Sequence, residues 1–112
     1  MELNVVEAEG YHLIKLSGRL DTAGVSRGEA RFAAVAGQAG RRVVVDLSEV
    51  TFLASLGVRM FISTGRILNQ KNGRLVLFSP TDAVREVIDT TALDDLVPVT
   101  ETEGEAVALA IA

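Results

Sequence analysis

The chain has 112 residues, 48% of them hydrophobic, and its 15 acidic and 11 basic side chains give a formal net charge of −4. This length suits a single domain over residues 1–112, and the scattered Lys and Arg lack the basic footprint that indicates a nucleic-acid ligand. Cysteine is absent, which excludes disulfide bonds and thiolate metal sites.

The first half of the chain predicts a hairpin, a helix and a central strand. Alternating apolar residues on each side of a Glu-Gly turn predict two strands joined tightly. Asp21 or Thr22 can cap the helix that follows, and Gly40 can end it. The β-branched run Val43-Val44-Val45 is typical of a strand covered on both faces, with a short connection expected over 46–50.

The second half predicts three further helices and two further strands. One helix is expected from Ser55, its capping residue, to about Gln70. A strand over 75–78 follows, then a helix capped by Ser79, a short strand over 96–99 and a last helix over 102–111. This order predicts an α/β fold with a mixed sheet, in which a starting hairpin is extended by parallel crossovers.

The two sides of the helix that starts at Ser55 differ in composition. A helical wheel places one apolar face toward the core, formed by Leu56, Gly57, Met60, Phe61, Thr64, Ile67 and Leu68. The opposite strip, flanked by Arg59 and Arg66, holds Val58, Ile62, Gly65 and Asn69. Exposed β-branched residues in this strip suggest a shallow docking surface, although isolated apolar residues are also common on ordinary protein surfaces.

No group of residues predicts catalysis. The only histidine, His12, lies in a predicted strand without a serine partner and is interpreted as a surface residue. Acidic residues near the C-terminus fall at a loop and a helix start, where carboxylates stay solvated. Asp21 and Asp46 both end predicted strands and could share an acidic pocket, but hydrogen-bonded turn aspartates are the favoured interpretation. We therefore predict no enzyme, no metal site and no cofactor.

The sequence also lacks the usual signals for a membrane or for export. No apolar run approaches the ~20 residues that a membrane-spanning helix needs. The first residues carry neither the basic region nor the apolar run of a signal peptide. A cytoplasmic protein is expected.

Three stretches, taken in order, resemble the STAS domain family, whose founding members are bacterial anti-sigma factor antagonists. These stretches are Gly18-Arg19-Leu20-Asp21, the run from Val43 to Phe52, and Ser55-Leu56-Gly57-Val58. The resemblance implies an α/β fold with a single-layer mixed sheet of four to five strands and about four helices packed mainly on one face. It also implies a partner, an anti-sigma factor that is itself a serine kinase. Asp21, Ser55, Val58, Arg59 and Ile62 are expected to line the contact.

The chain departs from the family at the phosphorylated position. In the family, phosphorylation of the Ser or Thr immediately before the glycine breaks the contact, because phosphate adds about −1.5 to −2 charge to it. That position is Leu56 here, and the preceding Asp of the motif is Ala54. The switch is therefore either moved to Ser55 or missing, and its absence is favoured. The alternative function is an unphosphorylated scaffold, such as a subunit of a transporter ATPase or a signalling complex.

Overall fold

The computed structural model describes every residue from Met1 to Ala112 and opens with an antiparallel hairpin. Its strands, β1 (Glu2–Ala8) and β2 (Tyr11–Leu20), pair from Glu2 opposite Ser17 to Ala8 opposite Tyr11. Gly10 supplies the left-handed residue of the turn, at φ 88°. The remaining elements are α1 (Thr22–Ala36), β3 (Arg42–Leu53), α2 (Ser55–Gln70), β4 (Arg74–Phe78), α3 (Asp82–Thr91), β5 (Val99–Thr100) and α4 (Glu103–Ile111).

The five strands form one sheet in the order β1-β2-β3-β4-β5. Strands β2 to β5 run parallel, so their carboxyl ends meet at one edge and all four helices begin there. The predicted element order, the starting hairpin and the mixed sheet are confirmed. No helix has both the length and the apolar composition needed to cross a membrane.

Two hydrophobic cores lie on opposite faces of the sheet. The larger one joins α1, α2 and α3 to one face, and within it Phe32 and Phe61 meet edge to face with ring centroids 5.8 Å apart. The smaller one packs Ala106 and Ala110 of α4 onto the other face, which Val76 helps to form. Three helices on one face and one on the other confirm the prediction that the helices pack mainly on one face.

The short connection predicted over 46–50 is wrong, because β3 continues through it to Leu53. Strand β2 is long enough to pair with β3 as far as Leu20 opposite Leu53, with register shifts around Gly18 at φ 88°. These irregularities leave Leu47, Val50 and Leu53 buried at steps of three rather than two. The alternation that would reveal a strand is therefore masked in the sequence.

Helix ends differ from the prediction at two places. Helix α1 ends at Ala36 and not at Gly40. Helix α3 is capped by Thr81, whose hydroxyl accepts from the backbone N–H of Val84 and donates to the carbonyl of Val50 at 2.9 Å. Ser79 instead adopts a left-handed conformation before the helix, so its predicted capping role is wrong. The strand predicted over 96–99 is shorter and lies later in the chain, since β5 comprises only Val99 and Thr100.

Candidate docking surface

Helix α2 begins beside the end of β2, at the carboxyl edge of the sheet. The backbone N–H of Ala54 donates to the carbonyl of Leu20 at 2.9 Å. Asp21 follows Leu20 and caps α1, accepting from the N–H of Gly24 at 2.7 Å. Asp21 and Ser55 each lie one residue beyond this hydrogen bond. The fold therefore brings together two of the predicted contact residues that are far apart in the sequence.

Gly57 allows the first turn of α2 to approach β2 closely. A Cβ atom at this position would lie 3.4 Å from Cβ of Leu20 and 2.6 Å from Cδ1 of Leu53. A larger residue would push the helix outward or displace these core side chains. The glycine of the Ser-Leu-Gly-Val stretch thus sets how deeply the start of α2 lies in the structure.

The start of α2 carries no side-chain cap. Its N-cap residue is Ala54, which has no side-chain acceptor, and the first turn contains no acidic residue. The predicted capping role of Ser55 is wrong, since Ser55 is the first helical residue and is exposed. The positive end of the helix dipole therefore has neither a capping side chain nor an acidic residue within the first turn of α2.

The predicted exposure of Val58 is also wrong. Val58 is only 7% exposed and belongs to the larger core. Gly65 is buried too, because a Cβ atom there would lie 3.2 Å from Cγ2 of Val97. Conversely, Ile67 was expected in the core but is 39% exposed. Helix α2 packs against Val97, in the segment before β5, as well as against the sheet. Its buried face is therefore not the face that the helical wheel predicts, because this second contact covers an additional side of the helix.

One continuous stripe remains on the outside of α2. Its members follow one another at steps of four and three residues, and we call them the outer stripe: Ser55, Arg59, Ile62, Arg66 and Asn69. All are exposed except Ile62, which is partly buried and packs against the larger core. Neither arginine has a carboxylate within ion-pair distance, and α2 contains no acidic residue. Three of the predicted contact residues, Ser55, Arg59 and Ile62, thus lie in this stripe.

The ends of β2 and β3 add a polar and aromatic rim next to the outer stripe. The guanidinium of Arg19 lies 4.5 Å from the ring centroid of Phe52, which is 38% exposed, and its Nε lies 3.3 Å from Oδ2 of Asp21. The hydrogen bond from the Gly24 N–H, together with Arg19, lowers the pKa of Asp21. Asp21 therefore presents a carboxylate to any partner at neutral pH. Sequence reasoning missed Phe52 as a contact residue, because β3 was not expected to extend as far as this position.

Asp46 and His12 lie away from this surface. Leu53, which pairs with Leu20, is seven residues beyond Asp46 along β3, a separation of about 20 Å at the usual strand rise. Asp46 instead accepts from the N–H of Ser48 at 2.9 Å, as expected of a turn-type aspartate. His12 lies at the opposite end of β2 from Asp21, where its Nε2 is 3.7 Å from Oε1 of Glu7. The shared acidic pocket considered for Asp21 and Asp46 is therefore absent.

A second feature missed in the sequence lies beside the distal half of the outer stripe. Leu96, predicted to lie in a strand, follows a 3₁₀ turn (Leu93–Asp95) and is 57% exposed. It lines an open cavity of about 130 Å³ together with Ile62, Arg66 and Asn69. No periodicity in the sequence reveals this notch, because its walls come from a helix and from a turn about 30 residues later.

Comparison with known proteins agrees with the fold described above. The STAS domain profile matches residues 2–106. A Bordetella bronchiseptica protein provisionally named anti-sigma factor antagonist BtrV is 31% identical over 96% of this chain and 93% of its own length. The anti-sigma-B factor antagonist of Staphylococcus aureus is 27% identical over 90% of this chain and 95% of its own. The crystal structure of an anti-sigma factor antagonist from Mycobacterium paratuberculosis superposes with a TM-score of 0.86 at 25% identity, covering 97% of this chain and 92% of that one.

Proposed function

Since the chain belongs to the STAS domain family, we propose that it acts as an anti-sigma factor antagonist, binding a kinase-like anti-sigma factor in the cytoplasm. The relatives that match nearly the whole chain carry this name. The single observation that carries the proposal is the outer stripe of α2, which presents two unpaired arginines and an uncapped helix start beside the Asp21 carboxylate. Binding alone performs this function, and no reaction is needed.

The charges of this surface favour a partner bound in one orientation. Asp21 is negative at the end of β2, whereas Arg59 and Arg66 are positive along α2. A partner with the complementary order of charges would be steered into one register and would meet like charges in the reverse register. Phe52, under the Arg19 guanidinium, and Ile62, in the outer stripe, add apolar area at two separate points of this surface. The proposed contact therefore comprises Asp21, Phe52, Ser55, Arg59 and Ile62, without the buried Val58.

Replacement of the usual phosphorylated residue points to a contact that is always available. Leu56 has no hydroxyl, and Ala54 has no carboxylate. Ser55 is exposed at the first helical position, where free N–H groups would stabilise a phosphate on it, yet that phosphate would add about −1.5 to −2 charge to the contact. We propose that the chain binds without a phosphorylation switch at the start of α2.

The same two replacements favour one alternative function. A STAS domain without the phosphorylated hydroxyl is suited to a permanent scaffold, for example in a transporter ATPase or a signalling complex. In that case the outer stripe would contact a subunit that holds no sigma factor. Binding to a purified kinase-like anti-sigma factor therefore separates the two functions.

Titration calorimetry of the full chain against such an anti-sigma factor from the same organism tests the proposal. The wild type is expected to bind, and Arg59→Glu to bind at least about tenfold more weakly, because it places a carboxylate in the contact. Arg31→Glu makes the same charge change at an exposed position of α1 and is expected to bind like the wild type. Absence of wild-type binding would contradict the proposed function, and equal losses in both variants would show that net charge, not α2, governs binding.

A further inference from the structure

The notch beside the outer stripe owes its shape to a glycine. Gly65 has no side chain, and this lets Val97 pack against α2, with 3.2 Å between Cγ2 of Val97 and the place where a Cβ of Gly65 would lie. Val97 is 1% exposed, whereas its neighbour Leu96 is 57% exposed. Leu96 is thus held beside Ile62 by a buried anchor but points its own apolar surface outward. The resulting cavity of about 130 Å³ has room for one aliphatic side chain.

The spacing of the outer stripe matches a helix as the docking element. Steps of four and three residues place its members along one seam, which is the pattern that a second helix packs against. The 16 residues of α2 give a seam about 24 Å long. The notch lies along this seam between Ile62 and Asn69. An aliphatic side chain of a helix laid along the seam would reach it.

The charges along the seam select an acidic helix. Arg59 and Arg66 lie seven residues apart on the same face, and neither has an ion-pair partner in the chain. The protein as a whole carries a net charge of −4, yet α2 has two basic residues and no acidic one. Carboxylates spaced at two helical turns on the partner would meet both guanidiniums. A second copy of this chain is disfavoured, because two copies related by a two-fold axis would bring arginine-bearing seams together.

We propose that the anti-sigma partner lays an acidic amphipathic helix along the outer stripe. Its acidic side chains pair with Arg59 and Arg66, and one apolar side chain fills the notch between Ile62 and Leu96. This inference rests on the proposed function and extends it, because it places the distal half of α2 and the Leu96 turn inside the contact. The partner segment is then an acidic helix with one apolar side chain at the notch.

The test uses the full chain and the same purified anti-sigma factor, with affinities from titration calorimetry. Leu96→Ser removes the apolar wall of the notch and is expected to weaken binding about tenfold. Arg66→Glu is expected to weaken it by a similar factor of about ten, with a larger loss at low salt than at high salt. The matched controls are Leu109→Ser, at a 40% exposed leucine of α4 on the other face of the sheet, and Arg31→Glu on α1. Both controls are expected to bind like the wild type.

Hydrogen–deuterium exchange of the anti-sigma factor identifies the segment that the chain protects. Protection of an acidic helix is the expected result, and protection of a basic or extended segment would overturn the inference. Wild-type affinity in both Leu96→Ser and Arg66→Glu, combined with a loss in Arg59→Glu, would also overturn it while leaving the proposed function intact. A sedimentation profile that shows a dimer, abolished by Leu96→Ser, would mean that a second copy covers the notch and would contradict the inference too. No wild-type binding would instead be a failure of the proposed function.

Discussion

Asp21 acts as a local structural residue and as an exposed charge at the same time. It caps α1 through the Gly24 N–H and forms an ion pair with Arg19, whose guanidinium in turn covers Phe52. These partners stabilise the ionised carboxylate, which is why its pKa is lowered from the ordinary value of 3.8. The same side chain is 36% exposed beside the start of α2 and remains available to a partner.

The lowered pKa of Asp21 predicts a pH-dependent contribution to stability. A carboxyl group whose pKa is lower in the folded state stabilises the fold above its unfolded pKa of 3.8, and this contribution is lost as the pH falls through the lower folded pKa. Asn retains the capping oxygen but not the charge. Asp21→Asn should therefore lower the melting temperature at pH 7 by a few degrees, roughly 2–5 °C. Thermal unfolding at several pH values measures the difference.

The difference between wild type and Asp21→Asn should shrink as the pH falls below 3.8 and through the lower folded pKa of Asp21, because the wild-type carboxylate is then progressively protonated. Asp89→Asn is the control, since Asp89 is an exposed helical aspartate without an ion pair. It should change the melting temperature little at any pH. A difference for Asp21→Asn that does not begin to shrink once the pH falls below 3.8 would mean that the charge of Asp21 does not stabilise the fold.

Ser55 predicts how the contact responds to a negative charge. Ser55→Ala should bind the anti-sigma factor within about twofold of wild type, whereas Ser55→Glu should bind at least about tenfold more weakly, because its carboxylate would have to be desolvated in the contact. A carboxylate at a helix start stabilises the free protein, so the melting temperature of Ser55→Glu should not fall. Calorimetry and thermal unfolding of both variants measure this. Undiminished binding by Ser55→Glu would place the start of α2 outside the contact.

At the level of the elements, α1 and α2 meet the end of β2 in the same way. Each helix has a glycine as its third residue, Gly24 in α1 and Gly57 in α2. A Cβ atom on Gly24 would lie 2.5 Å from the carbonyl oxygen of Arg19, and one on Gly57 would meet Leu20. Both glycines therefore permit two helix starts to lie side by side at the strand end. This arrangement brings Asp21 next to Ser55.

Opposite effects are expected for alanine at two helical glycines. In a helix interior, alanine generally makes folding more favourable by about 1 kcal/mol than glycine does. Gly24→Ala should nevertheless destabilise the protein by about 1–3 kcal/mol, because its methyl group would meet a backbone carbonyl that cannot move aside. Gly104→Ala in α4, where no heavy atom lies within 4 Å of the added Cβ, should stabilise by up to about 1 kcal/mol. Urea unfolding of both variants measures these effects, and stabilisation by both would contradict the close approach of α1 to β2.

Element boundaries show what local sequence patterns can and cannot predict. The apolar runs and turn residues predicted the order of strands and helices. Each of these elements buries at least one face, and a buried face leaves a recognisable pattern of apolar residues in the sequence. The end of β3 was missed because bulges break its alternation next to Gly18. The face of α2 was misplaced because Val97, from a distant turn, packs onto Gly65 and buries one side of the helix. Such tertiary contacts leave no periodic signal in the helix itself.

At the scale of the whole molecule, the candidate surface combines residues from three separate stretches. The helical wheel, the position of Ser55 at a helix start and the resemblance to the STAS family together indicated Asp21, Ser55, Arg59 and Ile62. They also indicated Val58, which the structure buries, and they offered no reason to include Phe52 or Leu96. These two residues join the surface only because β3 is longer than predicted and because a turn after α3 packs beside α2.

As an anti-sigma factor antagonist of the proposed kind, the chain would free a sigma factor by binding its anti-sigma factor. The most direct measurement adds the purified full chain to a preformed complex of the anti-sigma factor with a fluorescently labelled sigma factor, and follows release by fluorescence anisotropy. Wild type is expected to release the sigma factor stoichiometrically, Arg31→Glu to be equally effective, and Arg59→Glu to be much weaker. An anisotropy that stays unchanged when the chain is in large excess would contradict the proposed function and favour a scaffold function for this STAS domain.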